Sequence, residues 1–438
     1  MDPTRPPMRQ AKEAVRWAAT RPRAVKRFWE SLGPGLITGA ADDDPSGIAT
    51  YSITGAQFGT SLLWTSLVTW PLMAAVQTMC ARIGMVTGHG LAAALRRRFP
   101  RPVLMLICSG LLVANTINIA ADLSAMADAA ELLTGINSHI LVILFGGSLA
   151  YASVQLRYAV FARVLKWLAL VLVVYIVAAL QLKPDWGVVL HDTFTPHGLT
   201  SRAAWATVVA ILGTTISPYL FFWQASQEVE EEKAAGRLTA EERRGATEAQ
   251  IVARKLDIGF GTFFSNLAMF FIILTTALTL HKAGITHLSS SAQVAQALEP
   301  LAGRFAALLY TIGILGTGAL AIPTLAGSAA YAFAETFGWK QGMDEKFRRA
   351  RPFYAVVLLS FAVGMALDFA NVSPVQALYW TAVINGVLAP FLLSAILMVA
   401  SNRTIMEGQP SSRLGRITVG LTTLAMFGAA IAMFAVGS

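Results

Sequence analysis

The chain has 438 residues, of which 55% are hydrophobic and only 13% are charged. A soluble globular protein usually carries about 25% charged residues, so this composition excludes a protein with a fully solvated exterior. The formal net charge is +9. We attribute this charge to orientation in a membrane and attraction to anionic lipid, not to nucleic-acid binding.

Apolar runs long enough to cross a hydrocarbon core of about 30 Å recur along the whole chain. They leave no room for a separate soluble domain, and they predict an all-α integral membrane protein whose first partner is the lipid bilayer. The sequence predicts about eleven transmembrane helices, which span residues 34–56, 61–81, 102–127, 138–156, 165–182, 203–226, 257–281, 305–334, 352–370, 375–401 and 417–436.

The basic residues predict how these helices are oriented. Lys and Arg gather in cytoplasmic connections, so they should fill every second connection if the helices alternate in direction. With the N-terminus in the cytoplasm, the predicted inner segments hold 30 of the 34 Lys and Arg residues. We therefore expect a multi-pass protein of the plasma membrane with its C-terminus outside. The basic tail at 1–32 is predicted to be cytoplasmic and lacks the pattern of a cleaved signal peptide.

Two predicted helices are interrupted by a proline among polar residues. The first break, in the first span, is Asp42-Asp43-Asp44-Pro45-Ser46-Gly47, and the second, in the sixth span, is Thr214-Thr215-Ile216-Ser217-Pro218-Tyr219. Proline lacks a backbone donor, and inside lipid the carbonyls it frees must be buried in protein or line a cavity. Each break taken alone could also be an ordinary proline kink.

The two breaks occupy equivalent positions in two five-helix halves, at 33–182 and 203–401. Corresponding breaks point to the binding site of a transporter built from inverted repeats, so we predict the site there. The second half includes a charged cytoplasmic loop at 227–256, which is predicted to be a solvated helix. The span 417–436 is an additional helix.

Three consecutive aspartates stand in the first break. A carboxylate at the bilayer centre costs at least about 2.5 kcal/mol, so Asp42, Asp43 and Asp44 need compensation, which a bound cation would supply. Hard divalent cations prefer carboxylate and carbonyl oxygens. Because successive helical residues project in different directions, the three side chains do not all point at one ion. We choose Asp44, directly before Pro45, as the ligand. Asp42 and Asp43 are expected to be further ligands, to line an access route or to make helix-end contacts.

The other donors predicted at the breaks are also oxygens, namely the hydroxyls of Thr214 and Ser217 and the carbonyls around Gly47 and Thr214. Neither motif contains His, Cys or Met, so the predicted site does not favour soft metals. Deep in the third span, Asp122 also needs a partner. It could carry a proton, form part of the cation route or accept hydrogen bonds from neighbouring helices.

These motifs resemble the Nramp (natural resistance-associated macrophage protein) family of divalent metal transporters. The resemblance covers most of residues 33–436 and rests on Gly33-Pro34-Gly35, on Asp44-Pro45-Ser46-Gly47-Ile48-Ala49-Thr50, on Ser61-Leu62-Leu63-Trp64 and on Ser217-Pro218-Tyr219. It implies a LeuT-like fold with two inverted five-helix repeats, broken helices one and six, and an extra helix. It also implies metal uptake that is often coupled to protons.

The chain departs from the family pattern at positions that bind the metal or are linked to proton movement in the family. The family's Asp-Pro-Gly-Asn keeps its aspartate at Asp44 but loses its asparagine at Gly47, and Met-Pro-His becomes Ser217-Pro218-Tyr219. The thioether and a histidine linked to proton movement are thus missing. In the resemblance, the family's alanine with a ligand carbonyl falls at Thr214, and its glutamine of helix ten falls at Ala382. The family's acidic pair of helix three falls at Ile119 and Asp122. These losses resemble the Nramp-related magnesium transporters, whose larger, harder site accepts a partly hydrated ion.

We therefore expect a secondary transporter, not an enzyme, that imports divalent metal cations by alternating access with weak or no proton coupling. Mg²⁺ or Mn²⁺ is the expected substrate, no cofactor is expected, and the oligomeric state is left open. One alternative is a proton-coupled Mn²⁺ or Fe²⁺ symporter of the ordinary Nramp type. Another is a transporter of amino acids or similar organic solutes on the same architecture. A membrane enzyme or a metal sensor is less favoured, since the sequence offers no nucleophile-base pair or cofactor loop.

Overall fold

The computed structural model describes residues 38–39, 41–155, 173–370 and 372–436, except for the side chains of 301, 302 and 304. The predicted tail at 1–32, the motif Gly33-Pro34-Gly35 and the start of the fifth predicted span, 165–172, lie outside the described residues. Throughout the described ranges the chain forms helices and connecting turns without a β-strand. The predicted all-α class is confirmed.

The helices follow one another closely along the chain. The first seven are α1 Pro45–Phe58, α2 Trp64–Thr87, α3 Leu91–Arg96, α4 Arg101–Thr134, α5 Ser138–Gln155, α6 Val173–Gln181 and α7 Trp186–Phe194. The later ones are α8 Arg202–Thr215, α9 Pro218–Ala234, α10 Glu248–Thr276, α11 Ser291–Ala295, α12 Glu299–Ala302, α13 Ala306–Phe337, α14 Arg351–Leu367, α15 Pro374–Ser401 and α16 Arg413–Ala435. A π-helical turn at Ala277–His281 extends α10, and 3₁₀ turns lie at Gln296–Leu298, Gly303–Phe305 and Asp368–Ala370.

Among the described residues, 8 helical segments are long and apolar enough to cross a membrane. They are Arg101–Thr134, Ser138–Gln155, Arg202–Ala234, Glu248–His281, Ala306–Phe337, Arg351–Ala370, Pro374–Ser401 and Arg413–Ala435. The first, second and fifth predicted spans correspond to α1, α2 and α6, of which α1 has 14 and α6 has 9 residues. The integral membrane architecture is confirmed, while the number eleven stays a prediction.

Several helices run past the ends of the apolar spans. The third predicted span stops at residue 127, but α4 continues to Thr134, and α13 likewise continues three residues past 334. Each of these two helices stops at a glycine in the left-handed conformation, Gly135 (φ 68°) or Gly338 (φ 71°). Such a glycine ends a helix by turning the chain, so these ends follow the capping residue and not the edge of the apolar run.

Both predicted breaks are present. At the first, helical geometry at Ala41 and Asp42 gives way to two non-helical residues before α1 begins at Pro45. At the second, α8 ends at Thr215 and α9 begins at Pro218. Proline at the first position of a helix needs no backbone donor there, which explains why each second half starts at its proline.

Small residues bring the second break close to α15. A Cβ atom added to Gly213 would lie 2.0 Å from the carbonyl oxygen of Ala382, and one added to Gly386 would lie 2.2 Å from that of Val209. Only glycine lets the two backbones approach this closely. The contact fixes the end of α8, and with it Thr214, against the middle of α15.

The stretch 227–256 differs from the predicted solvated helix. It consists of the end of α9, a non-helical link and the start of α10. Glycines at 236 and 245 adopt positive φ angles of 91° and 81°, which interrupts the run of helix-forming residues. The link is also not fully solvated, because Arg243 is only 7% exposed and donates to the carbonyls of Gly88 and Leu238. The bond to Gly88 attaches the link to the end of α2, and the bond to Leu238 lies within the link.

Candidate metal site

Asp44 caps the N-terminus of α1. Its backbone is extended (φ −67°, ψ 171°), and its Oδ1 accepts hydrogen bonds from the backbone N–H of Gly47 (2.8 Å) and the hydroxyl of Ser46 (2.6 Å). An aspartate followed by proline is well suited to this position, because the cap satisfies free backbone donors and the proline needs none. Asp44 is 2% exposed. The first break therefore holds one carboxylate in a fixed orientation at a helix N-terminus.

The second oxygen of Asp44 belongs to a hydrogen-bonded chain on α4. The Nδ2 group of Asn118 lies 3.3 Å from Asp44 Oδ2 and 3.0 Å from Asp122 Oδ2, so one amide bridges two carboxylates. All three side chains are buried, and within the described ranges Oδ1 of Asn118 and Oδ1 of Asp122 have no hydrogen-bond partner. The structure thus brings Asp122 to the site through Asn118. Sequence reasoning gave Asn118 no role, although its i, i+4 spacing from Asp122 was visible.

The second break meets the first through Thr214. The Thr214 hydroxyl lies 3.4 Å from the Ser46 hydroxyl, and a Cβ atom added to Gly47 would lie 3.3 Å from Thr214 Oγ1. Asp44, Gly47 and Thr214, all predicted as site residues, therefore lie together. Ser46 was not predicted as a site residue, and it joins them because its hydroxyl is shared between Asp44 and the second break.

Ser217 has a different contact from the predicted one. Its hydroxyl lies 2.8 Å from the carbonyl oxygen of Gly213 and 2.7 Å from that of Thr214, and can donate to either; the break leaves both carbonyls without helical partners. In this conformation the Ser217 side chain therefore completes the end of α8. The Thr214 carbonyl, predicted as a ligand, is one of the groups that it covers.

Tyr219 and Ala382 lie around the breaks. The Tyr219 hydroxyl donates a 3.0 Å hydrogen bond to the carbonyl oxygen of Ala41, just before the first break, and Tyr219 is 1% exposed. Ala382 is fully buried and contacts Gly213 through its carbonyl. Tyr219 thus links the two breaks, and Ala382 packs behind the second.

Asp42 and Asp43 point away from Asp44. Both lie within hydrogen-bond distance of the Ser265 hydroxyl on α10, at 2.7 Å for Asp42 Oδ2 and 3.1 Å for Asp43 Oδ1. The three aspartates do not converge on one point, because Asp43 and Asp44 lie in the non-helical break and have different partners. Within the described ranges, no group of three or more His, Cys, Asp or Glu side chains is arranged to hold a metal ion. An ion at Asp44 would therefore complete its shell with hydroxyls, carbonyls, amide oxygen or water.

The electrostatics of this region favour a cation. Four carboxylates, those of Asp42, Asp43, Asp44 and Asp122, are at most 6% exposed. In the part of the chain that the structure describes, none of them forms an ion pair with Lys, Arg or His. Buried carboxylates without basic partners create a strongly negative potential, which attracts positive ions.

Ile119, to which the resemblance assigns the family's second acid on helix three, is packed against a neighbouring helix. Ile119 is fully buried, and its Cγ2 lies 2.8 Å from the place where a Cβ atom of Gly364 would stand. The isoleucine side chain therefore occupies the interface between α4 and α14 with apolar atoms. Asp122 has no acidic partner at this position.

A multi-pass membrane transporter, with two broken helices meeting at buried carboxylates, is the class of protein that this fold and site define. A model of the family described as natural resistance-associated macrophage protein-like (Nramp) matches residues 35–436. The chain belongs to this family, which confirms both the predicted family and the prediction that it is not an enzyme.

The relatives found by sequence are named as transporters. The chain is 27% identical over 413 residues to the divalent metal cation transporter MntH of Caldanaerobacter subterraneus subsp. tengcongensis, covering 90% of each chain. It is 25% identical over 406 residues to the MntH of Deinococcus radiodurans, covering 88% of this chain and 85% of the relative.

Solved structures share the fold. The manganese transporter of Eremococcus coleocola superposes with a TM-score of 0.72 at 16% identity, covering 94% of this chain and 88% of that one. The nucleobase-cation-symport-1 family transporter Mhp1 gives a TM-score of 0.57 at 14% identity, covering 92% of this chain and 90% of that one. The predicted LeuT-like fold is thereby confirmed.

Proposed function

We propose that the chain imports divalent metal cations, Mg²⁺ or Mn²⁺, by alternating access, and that the ion binds where the two helix breaks meet. The observation that carries the proposal is the buried carboxylate of Asp44, held at the N-terminus of α1 beside the hydroxyls of Ser46 and Thr214. Carboxylate and hydroxyl oxygens suit hard divalent cations. The similarity to proteins named as divalent metal cation transporters and to a manganese transporter supports the same substrate class.

The choice of Mg²⁺ rests on the size and hardness of the site. Gly47 and Ala382 stand where the family has amide side chains, and Ser217 stands where it has a thioether. Mg²⁺ surrenders water reluctantly and usually keeps several water ligands, so small residues and oxygen donors suit it. We therefore place the chain in the branch that resembles the Nramp-related magnesium transporters.

Weak or absent proton coupling is the second element of the proposal. Tyr219 replaces the family histidine and uses its hydroxyl to bind the Ala41 carbonyl. Ile119 fills the position of one acid with a packed apolar side chain. Coupling is also not needed energetically, because a divalent ion entering a cell at about −100 mV gains about 4.6 kcal/mol, twice the value for one charge.

The placement in the cell follows from the basic residues. We assign the chain to the plasma membrane with its N-terminus in the cytoplasm and its C-terminus outside, because Lys and Arg concentrate in alternate connections. In this assignment the inverted repeats are 33–182 and 203–401, and 417–436 is the additional helix. The starts of α4 and α10 then lie on the cytoplasmic side.

A second candidate is a proton-coupled Mn²⁺ symporter of the ordinary family type. The chain of hydrogen bonds from Asp44 through Asn118 to Asp122 favours it, since it links the proposed ligand to another buried carboxylate. A thioether also lies nearby, because Met126 packs against Gly318 next to Pro45, and sulfur favours Mn²⁺ and Fe²⁺ over Mg²⁺.

An organic-solute transporter is less favoured. Such a transporter would bind a substrate carboxylate at the free N-terminus of a broken helix. Here the Gly47 amide at the start of α1 already binds Asp44, whose charge would repel a substrate carboxylate.

The experiment is metal uptake into proteoliposomes that contain the purified protein and a pH-sensitive dye, with Mg²⁺, Mn²⁺ and Ca²⁺ compared. Uptake of Mg²⁺ and Mn²⁺ without acidification is the expected result. Uptake of Mn²⁺ with acidification and without Mg²⁺ flux would favour the second candidate. In that case Asp122→Asn, which keeps an acceptor for Asn118 but cannot carry a proton, should abolish the acidification.

A further inference from the structure

One hydroxyl serves two buried carboxylates beside the Asp44 site. Ser265 Oγ lies 2.7 Å from Asp42 Oδ2 and 3.1 Å from Asp43 Oδ1. A serine hydroxyl has one hydrogen, so it can donate to only one of the two oxygens at a time. Asp42 is fully buried, Asp43 is 6% exposed and Ser265 is 2% exposed. One of the two carboxylates is therefore always left without the hydrogen bond from Ser265.

Two further oxygens in this place have no partner among the residues that the structure describes. Asp42 Oδ1 is buried and makes no hydrogen bond with any of them, and the same is true of the hydroxyl of Tyr51, a fully buried residue on α1. Buried polar groups are nearly always satisfied, so two orphaned oxygens require an explanation. Leaving such a group unpaired destabilises the folded protein, and more so if the group is charged.

The Tyr51 side chain lies beside the first break. Its ring edge is 3.3 Å from the place where a Cβ atom of Gly47 would stand, and Thr214 Oγ1 (3.3 Å) and the carbonyl oxygen of Asp42 (3.4 Å) are equally close to that place. Thr214 is close to the phenol but makes no hydrogen bond of ordinary length with it.

The side-chain contacts of Asp42 and Asp43 differ from those of Asp44. Asp44 uses its two oxygens on the start of α1 and on Asn118 of α4. Asp42 and Asp43 instead face α10 through Ser265. The Asp42 and Asp43 carboxylates therefore make contacts of their own, different from those of Asp44.

We propose that Asp42, Asp43 and Ser265, with the Tyr51 hydroxyl, form a second site for a divalent cation beside Asp44. Two carboxylates carry two negative charges, which one divalent ion neutralises, and all the donors are hard oxygens. The inference rests on the proposed function. In the proposed orientation the chain reaches Asp42 from the cytoplasm, so the second site lies between Asp44 and the cytoplasm and receives the ion that Asp44 releases.

The test is the number of Mn²⁺ ions that the purified full-length protein binds, measured by equilibrium dialysis and by electron paramagnetic resonance. We expect two ions per chain, with line broadening from the interaction of two nearby Mn²⁺ ions. Asp44→Asn should leave one ion. The double substitution Asp42→Asn and Asp43→Asn should also leave one, and each variant should lose the broadening.

Substitutions at Ser265 provide a milder test if the double variant does not fold. Ser265→Ala should weaken the second binding step at least about tenfold, a loss of 1.4 kcal/mol, while leaving the first step unchanged. Ser265→Thr, which keeps the hydroxyl, is the matched control and should bind like the wild type.

Two results would overturn the second site. One is a single Mn²⁺ ion in the wild type that depends on Asp44 and is unaffected by Ser265→Ala, which would leave the proposed function intact and indicate that a proton serves the Asp42 and Asp43 pair. The other is loss of all binding in the Asp42 and Asp43 variant, which would place the main site there. A wild-type protein that binds no Mn²⁺ or Mg²⁺ would instead remove the proposed function itself.

Discussion

The Tyr219 hydroxyl donates a 3.0 Å hydrogen bond to the carbonyl oxygen of Ala41, and so joins the start of α9 to the chain entering the first break. Both residues are buried. The bond connects two segments that are 178 residues apart in the sequence. In alternating access these breaks move relative to their surroundings, so this bond stabilises the conformation seen here.

Tyr219→Phe should destabilise this conformation. The substitution removes one hydroxyl and leaves the Ala41 carbonyl buried without a donor, which costs about 1–3 kcal/mol. We expect a lower thermal unfolding temperature in detergent, with metal uptake that remains independent of pH. Tyr310→Phe is the control, because the Tyr310 hydroxyl makes only a 3.5 Å contact with Ser291. Equal unfolding temperatures for the two variants would contradict the importance of the Ala41 bond.

Asp44→Asn should abolish metal uptake while the protein remains folded. Asparagine caps a helix as well as aspartate does, so the start of α1 is preserved while the charge that binds the cation is lost. Asp185→Asn is a matched control, because Asp185 caps α7 through the Gly187 amide outside the site. Uptake and unfolding temperature should be measured for both variants. Normal uptake by Asp44→Asn would refute the assignment of the ligand.

Gly213→Ala should destabilise the protein by preventing the close approach of α8 and α15. The added methyl group would stand 2.0 Å from the carbonyl oxygen of Ala382, so one helix has to move. Overpacking of this kind typically costs about 1–3 kcal/mol. Gly147→Ala on α5 is the control, since nothing lies within 4 Å of its added methyl group. An unfolding temperature for Gly213→Ala as high as that of the control would show that the helices separate without cost.

Asp192 should stabilise the contact between α7 and the chain before α2 in a pH-dependent way. Burial acts to raise the pKa of Asp192, but the hydrogen bond from Thr60 (2.5 Å), together with His191 and His197, outweighs it and holds the pKa below its ordinary value. A lowered native pKa means that the stabilisation is present above the unfolded-state pKa of about 3.9 and is lost as the pH falls through the native pKa.

Asp192→Asn should therefore lower the free energy of unfolding by about 1 kcal/mol at neutral pH, because a charged hydrogen bond becomes a neutral one. The difference from the wild type should shrink at acidic pH, below the unfolded-state pKa of about 3.9, as the pH falls through the lowered native pKa and the wild-type carboxylate is also neutralised. Thermal unfolding at neutral and at acidic pH measures it. A difference that stays constant with pH would show that the charge of Asp192 has no role.

The sequence was sufficient to predict the features that depend on local chemistry. Pro45 and Pro218 locate both breaks because proline cannot donate a backbone hydrogen bond, and the same property makes them the first residues of α1 and α9. Asp44 could be chosen from the aspartates because it alone directly precedes the proline. The apolar spans predicted the helices, but their ends at Gly135 and Gly338 depend on backbone capping, which a hydropathy pattern does not detect.

The features that the sequence missed depend on contacts between distant segments. Ser265 lies more than 220 residues from Asp42, so nothing local indicates that its hydroxyl meets two aspartates. The contact of Ser46 with Thr214 and that of Asn118 with Asp44 are similarly long-range. Ser217 was predicted as a ligand from its place in the motif, but its side chain could reach either an ion or the carbonyls of its own helix. Only the three-dimensional structure shows which contact it makes here.

The most direct test of the central claim separates the two possible driving forces for uptake. Proteoliposomes are loaded with a metal indicator and a pH dye, and either an interior-negative potential or an inward proton gradient is imposed alone. We expect the potential to drive Mg²⁺ or Mn²⁺ uptake without acidification, since about −100 mV corresponds to a roughly 10³-fold accumulation of a divalent ion. The proton gradient at zero potential should drive none. Metal accumulation driven by the proton gradient, with acidification of the interior, would contradict the account.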